Sequence, residues 1–245
     1  MHSASTQRRL FFHIPKCAGS TVYKHLELHL GRNRLDRIIG RKPSILLHTV
    51  FHSAHLHKML PDARKARLVY GHFDWATYNK MLPRAGDYMF TFLREPVDRL
   101  RSSYNFFCSP QGWKWINLPG CPDDYTFVDY LKSDDKSTHW QTDNVMVRTF
   151  SGGHDQVYQS DDEWMEALEI AKTNIDRMSF IGFHHNFKSD FDELCKRIAI
   201  PPHQGAPENI TSEKRLKGEI EMTPLLVKRT KWDQLLYSHA LESVA

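Results

Sequence analysis

The stretch from Leu10 to Thr21, Leu-Phe-Phe-His-Ile-Pro-Lys-Cys-Ala-Gly-Ser-Thr, constrains this chain most: an apolar run stops at a lysine and a turn of small and hydroxyl residues. The apolar run reads as a strand. After it, Val22, Leu26 and Leu30 fall four apart, the spacing of one helix face. Strand, short polar loop and helix in succession set backbone N–H groups and a helix N-terminus around an anion, so a phosphate or sulfate group is expected here. Lys16 adds a mobile positive charge, Ala18 and Gly19 let the backbone approach closely, and Ser20 and Thr21 bring hydroxyl donors. A Walker A loop requires its lysine directly after the second glycine; here Lys16 precedes Gly19, which argues against an ordinary ATPase or GTPase loop. The competing reading is a plain strand-to-helix turn capped by Ser20 or Thr21.

Further along, Arg67 to His72 and Tyr88 to Leu93 read as strands, and Ser179 to Gly182 as a short late one. Arg94 to Phe107 is predicted to be helical, because Pro96 suits a first turn and Val97, Leu100, Tyr104 and Phe107 keep helical spacing. Other helices are expected over Phe127 to Lys132, Asp143 to Phe150, Asp161 to Ile175, Phe187 to Ile198 and Leu225 to Ala240. Cys108 to Pro122, with prolines, glycines, Trp113 and Trp115, reads as a long loop. Strands alternating with helices imply an α/β fold with a mostly parallel central sheet flanked by helices.

Two further groups stand where such a sheet binds ligands. Arg94 ends a strand and Ser102 follows two turns into the next helix; a guanidinium fork with a hydroxyl grips a terminal phosphate. Alternatively, Arg94 and Arg99 are surface partners of Glu95 and Asp98. His72 ends the strand before it, at the edge where open parallel sheets hold their ligands, and an imidazole there can take a proton near neutral pH.

His13-Ile-Pro-Lys-Cys-Ala-Gly-Ser-Thr21 resembles the 5′-phosphosulfate loop of sulfotransferases that use 3′-phosphoadenosine 5′-phosphosulfate (PAPS), in particular the branch of carbohydrate and heparan sulfate 2-O-sulfotransferases. Phe92-Leu-Arg-Glu-Pro-Val-Asp-Arg-Leu-Arg-Ser-Ser-Tyr104 resembles the family's 3′-phosphate motif, with Arg94 and Ser102 at its binding positions. The resemblance implies a sulfotransferase fold, akin in architecture to nucleotide kinases. It implies donor binding by Lys16, Cys17, Ala18, Gly19, Ser20, Thr21, Arg94 and Ser102. Cys17 departs from the hydroxyl residue that many members carry there, which leaves its backbone as the donor. Val69-Tyr-Gly-His-Phe-Asp74 matches the segment of the catalytic base and makes His72 that base, with Tyr70 where some members have a second histidine. Lys16 would act with it in catalysis. Asn209-Ile-Thr-Ser-Glu-Lys-Arg215 resembles the loop that closes over the nucleotide, which adds Ser212 and Lys214 as cofactor contacts. Arg148, in a segment recurrent in this branch, faces either the active cleft or solvent. The implied reaction moves a sulfuryl group to a hydroxyl of a carbohydrate or other small acceptor, without a metal. A nucleotide-dependent kinase and a non-catalytic nucleotide-binding module are the alternatives.

With 245 residues, of which 40% are hydrophobic, the chain is long enough for one substantial core, so a single domain over 1–245 is expected. A net charge of +4 suits an anionic cofactor and does not call for nucleic acid. Met1 to Arg9 is polar and no apolar stretch reaches membrane-span length, so a cytoplasmic protein is expected, a soluble fragment of a Golgi-type enzyme being compatible with the same reading. The four cysteines, 17, 108, 121 and 195, lack zinc spacing; free thiols are the default, and Cys108 and Cys121 bracket a loop that an oxidising compartment would let them close. His48, His52 and His55 would share a helical face, a spacing that invites zinc, but no Cys or acidic ligand lies among them and a solvated or substrate-facing basic helix is preferred.

Overall fold

In the computed structural model, which describes residues 7–30, 48–49, 66–110, 112, 121–133, 135–205 and 215–244, five strands form one sheet. These are β1 (Arg9–Phe12), β2 (His48–Thr49), β3 (Leu68–Gly71), β4 (Tyr88–Leu93) and β5 (Phe180–Phe183). Their order is β2-β3-β1-β4-β5 and every pairing is parallel. β1, β3 and β5 are buried at every position, as expected where helices cover both faces of a parallel sheet.

The helices are α1 (Gly19–Leu30), α2 (Trp75–Lys80), α3 (Pro96–Phe107), α4 (Phe127–Lys132), α5 (Lys136–Thr142), α6 (Val145–Ser151), α7 (Asp161–Ile175), α8 (Phe187–Arg197) and α9 (Pro224–Val244). No helix among the described residues is long and apolar enough to cross a membrane. α2 and α5 are short helices that apolar spacing does not reveal. Asp74 starts α2, its Oδ1 accepting the Thr77 N–H at 2.8 Å. The histidine stretch is also not helical where it is described: His48 lies in β2, which removes the shared helix face with His52 and His55, both outside the described residues.

The chain order creates the site. From β1 the chain passes to β2 at one edge of the sheet and returns through β3 on that same side, whereas from β4 it passes to β5 on the other side, so the connections leaving β1 and β4 diverge. Such a switch point leaves a crevice beyond the C-terminal ends of the two strands. Beneath it, Phe12 packs its ring 4.5 Å from Phe73 and 6.0 Å from Phe150 of α6. Gly182 in β5 is required by Phe92: a Cβ there would stand 2.4 Å from the ring. The middle of α9 is tied in by polar bonds, Asp233 Oδ1 accepting the Val147 N–H at 2.9 Å and Asn144 Oδ1 accepting the Trp232 N–H at 3.0 Å.

Candidate active site

The loop after β1 turns on Pro15 and Lys16. The Cys17 N–H donates to the Ile14 carbonyl at 3.3 Å, Pro15 holds the second position of that turn, and Lys16 takes a left-handed backbone at φ 68°. Ala18 is left-handed as well, at φ 63°. Two such residues without glycine's freedom are strained, and they bend the chain so that successive amides face one way. Among the described residues the N–H groups of Ala18, Gly19 and Ser20 have no acceptor, whereas Thr21 and Val22 donate to the Ala18 carbonyl. The open donors are therefore those of 18, 19 and 20. The Cys17 amide serves the turn, and its thiol is buried against the Pro15 carbonyl, where burial raises it to about 12.

The Lys16 ammonium lies 3.9 Å from the centroid of Phe106 in α3. Burial, reinforced by the nearby Arg94, lowers its pKa to about 8. No carboxylate pairs with it among the described residues. Ser102 is one turn before Phe106, so both occupy the α3 face that meets the lysine.

Arg94 directly follows β4, the neighbour of β1, at the same C-terminal edge. Its Nη1 donates to the Lys16 carbonyl at 3.4 Å, and its Nε is buried without a partner. Burial lowers the guanidinium's pKa. The surface-pair alternative fails on geometry: Glu95 caps α3 by accepting the Val97 and Asp98 N–H groups at 3.1 and 2.7 Å, Asp98 pairs with Arg101, and Arg99 is buried, donating to the Gln141 carbonyl at 2.9 Å. Lys16 and Arg94 thus form a desolvated cationic pair without a salt-bridge partner among the described residues, a setting that favours an anion.

His72 follows β3 and completes the edge. Its Nδ1 lies 2.7 Å from the His13 carbonyl oxygen. A carbonyl only accepts, so Nδ1 carries the proton in the neutral ring and Nε2 holds the basic lone pair. The His13 ring lies 4.3 Å from that of His72 and fills the space above Gly19, where a Cβ would come 1.8 Å from its Nε2. Trp140 of α5 approaches His72 edge-on at 6.2 Å, and His154 packs behind Trp140 at 5.1 Å, its pKa lowered to about 4 by burial.

Four of the expected groups, the loop, Arg94, Ser102 and His72, therefore meet at one sheet edge. Ser212 and Lys214 lie outside the described residues, as do Trp113 and Trp115. Arg148 faces neither cleft nor solvent: it is buried, donates Nε to the Asp143 carbonyl at 2.8 Å, pairs with the Asp143 carboxylate and stacks on Trp164. Sequence reasoning missed His13, Phe106 and His184. His184 emerges from β5 beside Arg94, because Leu93 and Phe183 are register partners, and burial together with Arg94 lowers its pKa to about 4. A polar residue directly after each parallel strand is the signal that would have found both histidines.

A parallel sheet whose switch point carries a loop of open amides, two desolvated cations and an oriented imidazole is the architecture of an α/β protein suited to handling anionic groups. The family model described as "Sulfotransferase family" matches residues 3–239, and the chain belongs to that family. The protein is a transferase that moves sulfuryl groups. A search of curated proteins finds no match.

Proposed function

We propose that this protein, acting as one domain over 1–245, transfers the sulfuryl group of PAPS to a hydroxyl of a carbohydrate or other small acceptor, as the resemblance to the 2-O-sulfotransferase branch suggests. The observation that carries this reading is the neighbouring cationic couple of Lys16 and Arg94, without a salt-bridge partner among the described residues, at the same C-terminal sheet edge as His72. The residues fit such a donor: open amides of Ala18, Gly19 and Ser20 suit sulfonate and 5′-phosphate oxygens, and the orphaned Arg94 Nε with the Ser102 hydroxyl suits the 3′-phosphate.

In this mechanism His72 Nε2 takes the proton of the acceptor hydroxyl as its oxygen bonds to sulfur, and the bond from sulfur to the phosphate oxygen breaks. Lys16 balances the charge that develops on that leaving oxygen. The His13 carbonyl keeps the imidazole in the tautomer the step requires and stabilises its protonated form.

Incubating the protein with PAPS and a panel of saccharide, phenol and alcohol acceptors, read by mass spectrometry, tests the proposal. A sulfated product that disappears in His72→Ala supports it. Phosphorylated product with ATP and magnesium, or donor binding without turnover on any acceptor, would replace it with the kinase or binding-module alternative.

A further inference from the structure

Two thiols at the end of α3 play no part in this chemistry. Cys108 caps α3 through an N–H bond to the Tyr104 carbonyl at 2.9 Å and is half-buried, whereas Cys121 is buried. They are thirteen positions apart in the chain, and their Sγ atoms stand 2.8 Å apart. A covalent bond of about 2.05 Å is less than an ångström of approach away. Arg215 Nη1 donates to the Cys121 Sγ at 3.0 Å, and its Nη2 donates to the Pro122 carbonyl at 2.7 Å and to that of Asp123. Burial and the neighbouring Cys108 push the Cys121 thiol up to about 12, against the pull of Arg215. Cys17 and Cys195 are buried without a second thiol beside them.

We infer that Cys108 and Cys121 are a paired modification site, oxidised to an intramolecular disulfide by a small-molecule disulfide of the glutathione type. Cys108, the more accessible sulfur, attacks the oxidant as thiolate and releases one equivalent of small thiol, leaving a mixed disulfide. The Cys121 sulfur then attacks the Cys108 Sγ and releases the second. The two protein thiols lose two electrons and two protons in all, and both pass to the oxidant, which leaves as two thiols. The closed bond ties Cys121 to the C-terminal end of the helix that carries Ser102 and Phe106.

Reduced wild-type protein incubated with excess oxidised glutathione, then acid-quenched, alkylated and peptide-mapped, tests this. Of the four thiols, two should remain, the intact mass should fall by two hydrogens, and one cross-linked peptide pair should join residues 108 and 121. The melting temperature should rise by roughly 6–12 °C. Cys121→Ser should stall as a stable glutathione adduct on Cys108. Four surviving thiols, a persistent adduct in the wild type, or a cross-link through Cys17 or Cys195 would overturn the inference. The wild-type map decides even if the variant does not fold.

Discussion

The imidazole of His72 is held by the backbone of His13, Nδ1 to carbonyl oxygen at 2.7 Å, so the residue that opens the loop after β1 also sets the tautomer of the proposed base. The link comes from strand order. β1 and β3 are neighbours with Phe12 opposite Gly71, and the residues leaving their C-terminal ends meet, the His13 N–H donating to the Gly71 carbonyl at 3.0 Å. His72 and the loop after β1 therefore share one rigid support.

His72→Ala should lower kcat by about 10²–10⁴, the range of a lost general base, while the affinity for adenosine 3′,5′-bisphosphate stays within about twofold of wild type. Initial rates with titration calorimetry separate the two quantities. A parallel loss of nucleotide affinity would assign His72 to the donor site instead.

Lys16 supplies a pH signature. Its pKa is lowered to about 8, so the ammonium is present below that value and is lost as pH rises through it. The kcat/KM profile should fall on an alkaline limb centred near 8. Lys16→Arg should remove that limb, because a guanidinium remains charged throughout, and Lys16→Ala should cost about 10²–10³ in kcat at neutral pH.

Arg94→Lys should weaken adenosine 3′,5′-bisphosphate binding by about 10- to 100-fold, because an ammonium replaces a fork whose Nε is buried and awaits an acceptor. Ser102→Ala removes one neutral hydrogen bond and should cost about 2- to 10-fold. Calorimetry with adenosine 5′-monophosphate as a second ligand locates both effects: they should vanish when the 3′-phosphate is missing.

These groups were legible because each sits where a regular element ends, which sequence marks clearly. The apolar runs at Leu10, Leu68 and Tyr88 are buried strands, and the polar group that comes after each of them, Lys16, His72 or Arg94, must lie on the ligand edge of a parallel sheet. The α3 boundary at Pro96 was equally visible. Contacts between distant segments were not. Nothing local shows that Phe106 cushions Lys16, or that Gly19 is small because the His13 ring occupies its side-chain space. Arg148 was misread for the same reason: its partners are an aspartate five residues upstream and the Gly153 and Gln156 carbonyls downstream, a buried network that a helical pattern presents as one more charged position.

That network predicts a stability change. Burial raises the Asp143 carboxyl, but the hydrogen bond from His139 and the charges of Arg148 and Arg229 outweigh it and hold the pKa near 2, below the usual 3.8. The resulting stabilisation is present above 3.8 and lost as pH falls through 2. Arg148→Met leaves a buried carboxylate short of a partner and should cost about 3–5 kcal/mol at pH 7, with a smaller deficit at about pH 2, where wild-type Asp143 is itself about half protonated. Urea unfolding at the two pH values measures the difference.

Gly19 offers the sharpest separation of packing from chemistry. An alanine Cβ there would stand 1.8 Å from His13 Nε2 and 2.0 Å from its Cδ2, so the ring must move, and that ring lies 4.3 Å from His72. Gly19→Ala should therefore destabilise the fold by about 1–3 kcal/mol and also slow turnover, because the displaced ring presses on the base. If the clash with His13 is the whole cause, the double variant His13→Ala/Gly19→Ala should regain stability relative to Gly19→Ala, with a coupling energy of about 0.5–3 kcal/mol in the cycle. The His13 carbonyl survives the substitution, so His72 keeps its Nδ1 bond and the double variant should recover turnover as well. Stability that returns without turnover would mean that the small residue at 19 is required by a ligand approaching the backbone, and that His13 merely fills the space the ligand leaves.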